Sequence, residues 1–472
     1  MNERLQIAAR TALIFLLLPG FVPRVAAQVD TKEVDLTAES FTSDVSGGER
    51  VNRLVGNVRL RQGETTLWSN RAVQYTERDE ILFSERVRIG ERGDTLTANS
   101  VRYYRRTKTG RARGRVILSD GDVVVKAPAA FHNVERKYTR FENGVELVDS
   151  LSTLTARQGE YWSDEKRALF VGEIRLLEDG SVTRADTVNF QRDESIADAF
   201  GNVSVIRTDK ESGDSSFVWL FGERAHNESR RDYSTVEGNA LLVQVRPDSS
   251  GSDTTALTAD RLVSREEGTL EFLSGSGNVS IFKEKLAATA DSVAFRKRST
   301  PGGETTETVW LYRSPILWYE TTQVVGDSIR MTLINGELDS LFVDGNAFLA
   351  QEDTLIGRIH EVGGPTIRGS LRSGKREITI GEGADAVYYL SEDAEPSGAT
   401  RTHSRSVVMK FDGDTLSTIV ALGDIEGTYY TEELIPEDLG LAGMTWKPEQ
   451  RPTREIYAAD PRFRAMASAR ND

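Results

Sequence analysis

Apolar and polar residues alternate along most of this chain, in segments that are separated by polar turns. Val58 and Leu60, for example, enclose Arg59, and Val188 and Phe190 enclose a single polar residue in the same way. A period of two places successive side chains on opposite faces of a β-strand. Because β-branched and aromatic residues recur at spacing two and not at three or four, the pattern predicts strands and not helices.

The predicted strands repeat every 29 residues in the first part of the chain. Five equal steps from Val58 each reach a branched aliphatic residue, and a second apolar residue follows two positions later. Gly or Asn stands two positions before most members of the first series, with Glu85 as the exception. These two series predict the interior face of the repeat: Val58, Val87, Val116, Val145, Ile174 and Val203, followed by Leu60, Ile89, Leu118, Leu147, Leu176 and Val205.

A further series, in phase with these, supplies the second strand of each repeat. Its members are small residues 29 positions apart: Ser69, Ala98, Ala127, Ala156 and Ala185. Farther along, the unit continues with longer turns, such as Arg246–Thr255 and Arg298–Thr305, where surface insertions cost little free energy. We count about twelve two-strand repeats, which predicts an all-β fold of about 24 strands.

The N-terminus has the features of an export signal. Arg4 and Arg10 precede the short apolar run Ala12–Leu18, and Val25–Ala27 offers small residues before Gln28. This run is too short to span a bilayer, which takes about 20 apolar residues, and no integral membrane span is predicted. The expected layout is a signal peptide at 1–27, regular repeats at 28–206, their continuation with longer turns at 207–430, and an extended or partly disordered tail at 431–472.

Composition narrows the classes of function. The net charge of -14 argues against a nucleic-acid partner, whose phosphates select for clustered Lys and Arg. With no Cys and four scattered His, the sequence predicts no metal site, no cofactor and no catalytic residues. Asp186, Asp260, Asp291 and Asp327 recur near turns, but the tight glycine-rich nonapeptide of calcium-binding rolls is missing. We interpret these carboxylates as solvated turn residues.

The alternation of two segment types resembles the OstA-like family. One type reads Ala-Asp-Ser-Val-x-Phe and the other Gly-Asn-Val-x-Ile. The strongest copies are Gly56–Leu60, Ala98–Tyr103, Ala185–Phe190, Gly201–Val205, Gly277–Ile281 and Ala290–Phe295. The later part resembles the long OstA-like proteins of the Bacteroidetes, at Ser314–Trp318, Gly326–Phe348, Ala384–Tyr389 and Gly423–Tyr430.

The resemblance implies a repetitive open β-jellyroll, also called a β-taco, whose apolar groove holds lipid acyl chains. It implies a periplasmic bridge or chaperone that passes lipopolysaccharide or a related glycolipid toward the outer membrane, without enzymatic activity. It also implies edge-to-edge strand pairing with other lipopolysaccharide-transport proteins. Under this reading, the two interior series from Val58 to Val205 line the groove.

Several alternatives stay open at this point. The same interior stripe suits a closed sandwich core, since such stripes build every β-sandwich. A β-solenoid polysaccharide lyase or hydrolase, and an envelope adaptor that binds no lipid, are the other functions considered. The basic clusters at Arg102–Arg115 and Arg296–Arg298 suit either lipid phosphates at a groove rim or solvated turns.

Overall fold

The computed structural model describes residues 34–468 apart from short gaps at 63–64, 92–93, 120–122, 149–151, 163, 179, 192, 212–213, 249–250, 301–303, 372–375, 393–394 and 413–414. The predicted signal peptide lies outside the described residues. Strands dominate the described part, and every strand pairing described is antiparallel. The predicted all-β, repetitive fold is confirmed.

The strands follow one another along the whole described chain. Their bounds are β1 Val34–Thr37, β2 Ser40–Ser46, β3 Glu49–Gln62, β4 Thr65–Tyr75, β5 Glu80–Glu91, β6 Asp94–Tyr104, β7 Thr109–Ser119, β8 Val124–Asn133, β9 Tyr138–Glu142, β10 Val145–Val148, β11 Ser152–Ala156, β12 Gln158–Trp162, β13 Arg167–Glu178, β14 Ser181–Gln191, β15 Ile196–Glu211, β16 Asp214–Glu228, β17 Tyr233–Asp248, β18 Gly251–Glu267, β19 Leu270–Lys283, β20 Leu286–Ser299, β21 Thr305–Tyr312, β22 Ile316–Tyr319, β23 Thr322–Val325, β24 Ser328–Ile334, β25 Glu337–Asp353, β26 Arg358–Ser370, β27 Arg376–Gly381, β28 Ala384–Glu392, β29 Glu395–Ser404, β30 Ser406–Asp412, β31 Thr415–Leu422 and β32 Glu426–Thr431.

In the described residues, helices are few and short. Single 3-10 turns lie at Ser229–Arg231, Glu432–Leu434 and Pro448–Gln450, and two α-helices, α1 Glu455–Ala458 and α2 Pro461–Ser468, follow near the C-terminus. None of the helices in the described part of the chain is long and apolar enough to cross a membrane.

Each repeat turns a corner inside its strands. In eight cases, such as β9 and β10, two strands that follow one another in sequence are separated only by such a corner. Counting each of these pairs as one strand gives 24 strands in the described residues, the number that the repeat count predicts. In the first strand of each repeat the corner consists of two successive residues with positive φ. Twelve such corners occur in the described residues: 56–57, 85–86, 114–115, 143–144, 172–173, 201–202, 238–239, 277–278, 313–314, 345–346, 382–383 and 423–424.

The corner explains the Gly-Asn pair of the repeat. A left-handed backbone costs most L-residues about 1–2 kcal/mol each, and Gly and Asn tolerate it best. Glu85, which breaks the sequence rule, nevertheless adopts φ 65° and is followed by Arg86 at φ 59°. The repeat geometry therefore overrides local preference at this corner.

The recurrent aspartates belong to the same corners. The Nδ2 atom of Asn202 donates to Asp186 Oδ2 at 2.8 Å, and Asn278 donates to Asp260 Oδ2 at 3.0 Å. Asn346 makes the equivalent bond to Asp327. These side chains are exposed, as expected for turn carboxylates, but each fastens the corners of two consecutive strands together. This is a structural role that the sequence reading missed.

The described residues divide into two compact units. The N-terminal unit comprises residues 34–207 and 224–230, and the C-terminal unit comprises residues 208–223 and 231–468. The layout expected from the sequence, with its boundary at residue 206, stays a prediction about domains.

In the N-terminal unit the strand halves on either side of a corner pair separately. Within β3, residues 51–55 pair with 71–75 of β4, whereas residues 58–62 pair with 65–69. The same division continues through β14 and β15. The halves therefore form two layers joined at the corners: layer 1 holds the 51–55 half and layer 2 the 58–62 half. The layers meet face to face near the corners, where a Cβ added to Gly159 of layer 1 would lie 3.3 Å from Val145 Cγ1 of layer 2.

The C-terminal unit has the same two-layer arrangement. The interior positions next to its corners in layer 1 include Leu311, Ile329, Val343, Ile367 and Ile380, all at most 1% exposed. They are consecutive partners in the strand register. Around these five positions the interior is closed and aliphatic.

Residues 432–468 lie against the outer face of layer 2 in the C-terminal unit. The backbone N–H of Leu441 donates to Glu361 Oε2 at 2.6 Å, and Arg451 Nη1 donates to the carbonyl of Glu320 at 2.6 Å. Farther on, the ring of Phe463 packs on Trp219 at 5.4 Å. The tail expected at 431–472 thus makes specific contacts over the described residues, and its two helices were not predicted.

Candidate functional site

The twelve residues selected from the sequence all lie on the interior face of layer 2 in the N-terminal unit. The first series, from Val58 to Val203, stands next to the corners and is buried throughout. The second series, from Leu60 to Val205, stands one step farther from the corners. The structure therefore brings both series together on one continuous wall.

Strand pairing places four further aliphatic residues between members of the second series. Leu60 pairs with Leu67, and Leu67 pairs with Ile89. The resulting row, here called the aliphatic ladder, consists of Leu60, Leu67, Ile89, Leu96, Leu118, Val125, Leu147, Leu154 and Leu176. The register continues it to Thr183 and Val205.

Exposure changes along this ladder. Leu60, Ile89, Leu96, Leu118 and Val125 are half-buried, although Leu67 between them is buried. From Leu147 onward every member is buried, and Leu154 and Leu176 are only 1% exposed. The interior of the N-terminal unit is consequently more accessible to solvent in its first part, here called the open cleft, and it is closed in its later part.

The facing wall of layer 1 has a different chemistry at the same distance from the corners. Its row consists of Asn52, Gln74, Ile81, Tyr103, Gly110, His132, Thr139 and Tyr161, which are consecutive partners in the register. All eight are half-buried. We call its hydrogen-bonding members, Asn52, Gln74, Tyr103, His132, Thr139 and Tyr161, the polar ladder.

Neighbours within the polar ladder bond to one another. Asn52 Nδ2 donates to Gln74 Oε1 at 3.1 Å, and a hydrogen bond of 2.9 Å joins His132 Nδ1 to Thr139 Oγ1. Burial is the main cause that raises the pKa of Tyr103, so its phenol stays protonated. The row ends in Ala168, Phe190 and Ala197, and the last two are buried. Both walls thus close along the same direction of the chain.

The polar ladder also has a periodic signal in the sequence. Gln74, Tyr103, His132 and Tyr161 are spaced by 29 residues, in phase with the aliphatic series. Period-two alternation places them on the interior face of their strands. These residues were not predicted to face the interior because they are polar, and the interior face was predicted from apolar residues alone.

The open cleft coincides with a basic part of the chain. Residues 50–140 contain 20 Lys and Arg against 10 Asp and Glu, whereas the whole chain has 59 against 73. Several of these cations are paired: Arg105 lies 2.6 Å from Asp79, Arg102 lies 3.1 Å from Glu80, and Lys108 contacts a glutamate in the next turn. The first basic cluster is therefore partly a series of ion pairs between turns.

The second basic cluster lies in the C-terminal unit. Arg296 stacks over the Trp310 ring at 5.2 Å, whereas Lys297 is buried and its Nζ has no hydrogen-bond partner among the described residues. Burial lowers the pKa of Lys297, against the opposing charges of Glu271 and Glu307. Within the described ranges no group of three or more His, Cys, Asp or Glu could hold a metal ion.

Two interior walls, joined by corners and built from a 29-residue unit, define a repetitive two-layer β-protein. Residues 32–181 match the family model described as OstA-like protein, which confirms the resemblance over the segment that contains the open cleft. No curated protein matches the chain significantly.

Two solved structures complete the comparison. LptH from Pseudomonas aeruginosa, described as the LptA homologous periplasmic component of the lipopolysaccharide transport device, is 10% identical, with 36% of this chain and 82% of that chain covered and a TM-score of 0.14. A BenF-like porin from Pseudomonas fluorescens Pf-5 is 8% identical, with 83% and 95% covered and a TM-score of 0.11. Neither TM-score supports an argument about this chain.

Proposed function

We propose that this protein is a periplasmic carrier of lipopolysaccharide or a related glycolipid, which holds acyl chains in the open cleft of the N-terminal unit and passes them toward the outer membrane. The observation that carries the proposal is the aliphatic ladder. Its members Leu60 to Val125 stay half-buried inside a segment that matches the OstA-like family.

An aliphatic wall that water can reach favours lipid binding. Each acyl methylene that leaves water contributes about 0.8 kcal/mol, so a chain lying along several ladder residues gains several kcal/mol. A closed core offers no such gain, because its side chains already exclude water. The proposal therefore assigns lipid to the cleft that includes Leu118 and not to the C-terminal unit around Val343.

Strand edges supply the proposed contacts with other transport proteins. In the described residues β1 and β2 pair only with β3, which leaves their other edges open. Leu36, Phe41 and Val45 on these strands are exposed. An exposed strand edge with apolar side chains is suited to the addition of a strand from another chain.

Site-specific photocrosslinking tests the lipid assignment. A photoreactive amino acid at position 118 should crosslink to lipopolysaccharide in envelope-expressed protein. The matched control is position 117, because Ile117 points to the opposite face of the same strand and is 38% exposed. Equal crosslinking at both positions, or crosslinking at position 343 in place of 118, would contradict the proposal. Glycan cleavage by the purified protein would favour the enzyme alternative.

A further inference from the structure

The polar ladder lies in the same cleft as the aliphatic ladder, but its side chains form hydrogen bonds. The difference in exposure to water between the two rows does not explain this difference in polarity. Both rows stand one step beyond the corner-proximal positions, and both are half-buried along the open part of the cleft. Leu96 and Leu118 are aliphatic although water reaches them at this depth. Contact with water therefore does not explain why the facing positions are Tyr103 and His132.

The C-terminal unit shows what this row becomes where the layers close. There the equivalent row of layer 1 begins with four half-buried residues, Ser234, Ser264, Leu273 and Phe295. It continues with four buried residues, Val309, Met331, Leu341 and Ile378. Among the described residues, no hydrogen-bonding side chain stands in the buried stretch of this row from Val309 to Ile378. The series of six hydrogen-bonding side chains therefore belongs to the N-terminal unit, where Asn52, Gln74, Tyr103 and His132 stand on the strands of the open cleft.

We infer that the polar ladder binds the sugar headgroup of a glycolipid whose acyl chains lie on the aliphatic ladder. This inference rests on the proposed function and adds the chemical class of the headgroup. Phenol, amide, imidazole and hydroxyl groups donate to and accept from neutral hydroxyls. A tyrosine also offers an apolar ring face beside its hydroxyl, which suits a sugar ring.

A phosphate headgroup would call for a different wall. Phosphates are bound most strongly by Arg and Lys through charge-assisted hydrogen bonds. None of the six side chains of the polar ladder is Arg or Lys, and the charged residues nearby, such as Arg102 and Arg111, alternate with the ladder and so point to the opposite face. The ladder therefore selects sugar hydroxyls in preference to phosphate.

The test uses two single-chain amphiphiles with the same tail, dodecyl maltoside and dodecylphosphocholine, titrated below micelle formation into full-length protein by calorimetry. The variant Tyr103→Phe/Tyr161→Phe removes two hydroxyls and keeps both rings. We expect it to weaken maltoside binding by about 3- to 10-fold per hydroxyl, the range of one hydrogen bond. Binding of dodecylphosphocholine should stay within about twofold.

The matched control is Tyr104→Phe/Tyr138→Phe, which changes two tyrosines on the outer face of the same layer. It should leave both affinities within about twofold, as ordinary surface substitutions do. An equal loss for both amphiphiles, or no loss for maltoside in a variant that melts normally, would overturn the headgroup assignment and leave the acyl-chain site standing. If the unmodified protein binds neither amphiphile, the proposed function itself fails.

Discussion

A charge introduced at two positions of the aliphatic ladder should have opposite consequences. Leu118 is half-buried at the cleft, and Leu176 is 1% exposed. At position 118 a glutamate can reach water, so the loss is part of the leucine's burial energy, about 1 kcal/mol of the 1.5–3 kcal/mol for full burial. At position 176 the same change removes the full burial energy of the leucine. It also buries an unpaired charge, which costs several kcal/mol more.

These magnitudes decide the outcome because a folded domain has only about 5–15 kcal/mol of stability. Leu118→Glu should lower the melting temperature by about 2–4 °C, the shift per kcal/mol for a domain of this size, and abolish lipid capture. Leu176→Glu should unfold the N-terminal unit or lower its melting temperature by more than about 10 °C.

The assay measures thermal melting and lipopolysaccharide crosslinking on the same purified variants, with Ile117→Glu on the outer face as the control. A normal melt with lost crosslinking for Leu118→Glu supports the open cleft. If Leu118→Glu collapses the melt as Leu176→Glu does, the first part of the N-terminal unit is a closed core and the reasoning is wrong. Retained crosslinking in a folded Leu118→Glu variant would remove this residue from the site.

Three further predictions concern stability. Glu85→Gly should raise the free energy of unfolding by about 0.5–1 kcal/mol in urea melts, because it relieves the positive φ of 65° at the price of chain entropy. Gln323→Leu should destabilise the C-terminal unit by about 1–3 kcal/mol and speed proteolysis of residues 432–468, because the fully buried amide bonds the backbone of that segment at 2.7 and 2.8 Å. Burial lowers the pKa of His226, but hydrogen bonds to Asp198 and Glu228 outweigh it and leave the pKa raised. The unmodified protein should therefore be more stable than the His226→Gln variant by its full margin below about pH 6.5, and this margin should shrink as the pH rises through the raised pKa. Urea midpoints at two pH values measure the margin. A margin that grows with pH would contradict the prediction.

The repeat is the part of this protein that its sequence determined. A period of 29 residues with alternation of two is enough to predict strands, their approximate number and the interior face that Val58 and Leu60 occupy, because side-chain direction in a strand follows from position alone. The Gly-Asn pair likewise marks the corners, since few other residues accept two successive left-handed conformations. Asp186 was recognised near a turn, but its bond to Asn202 depends on which corners become neighbours.

Only the tertiary structure decided where the interior is open. Leu118 and Leu176 occupy equivalent positions in the repeat, and no local pattern distinguishes the half-buried residue from the buried one. The facing row differs between the two regions: Tyr103 and His132 in the open part are half-buried, and Phe190 in the closed part is buried. The contacts of residues 432–468 were hidden for the same reason, because their partners lie far away in sequence. Gln323, for example, lies more than a hundred residues from Thr445.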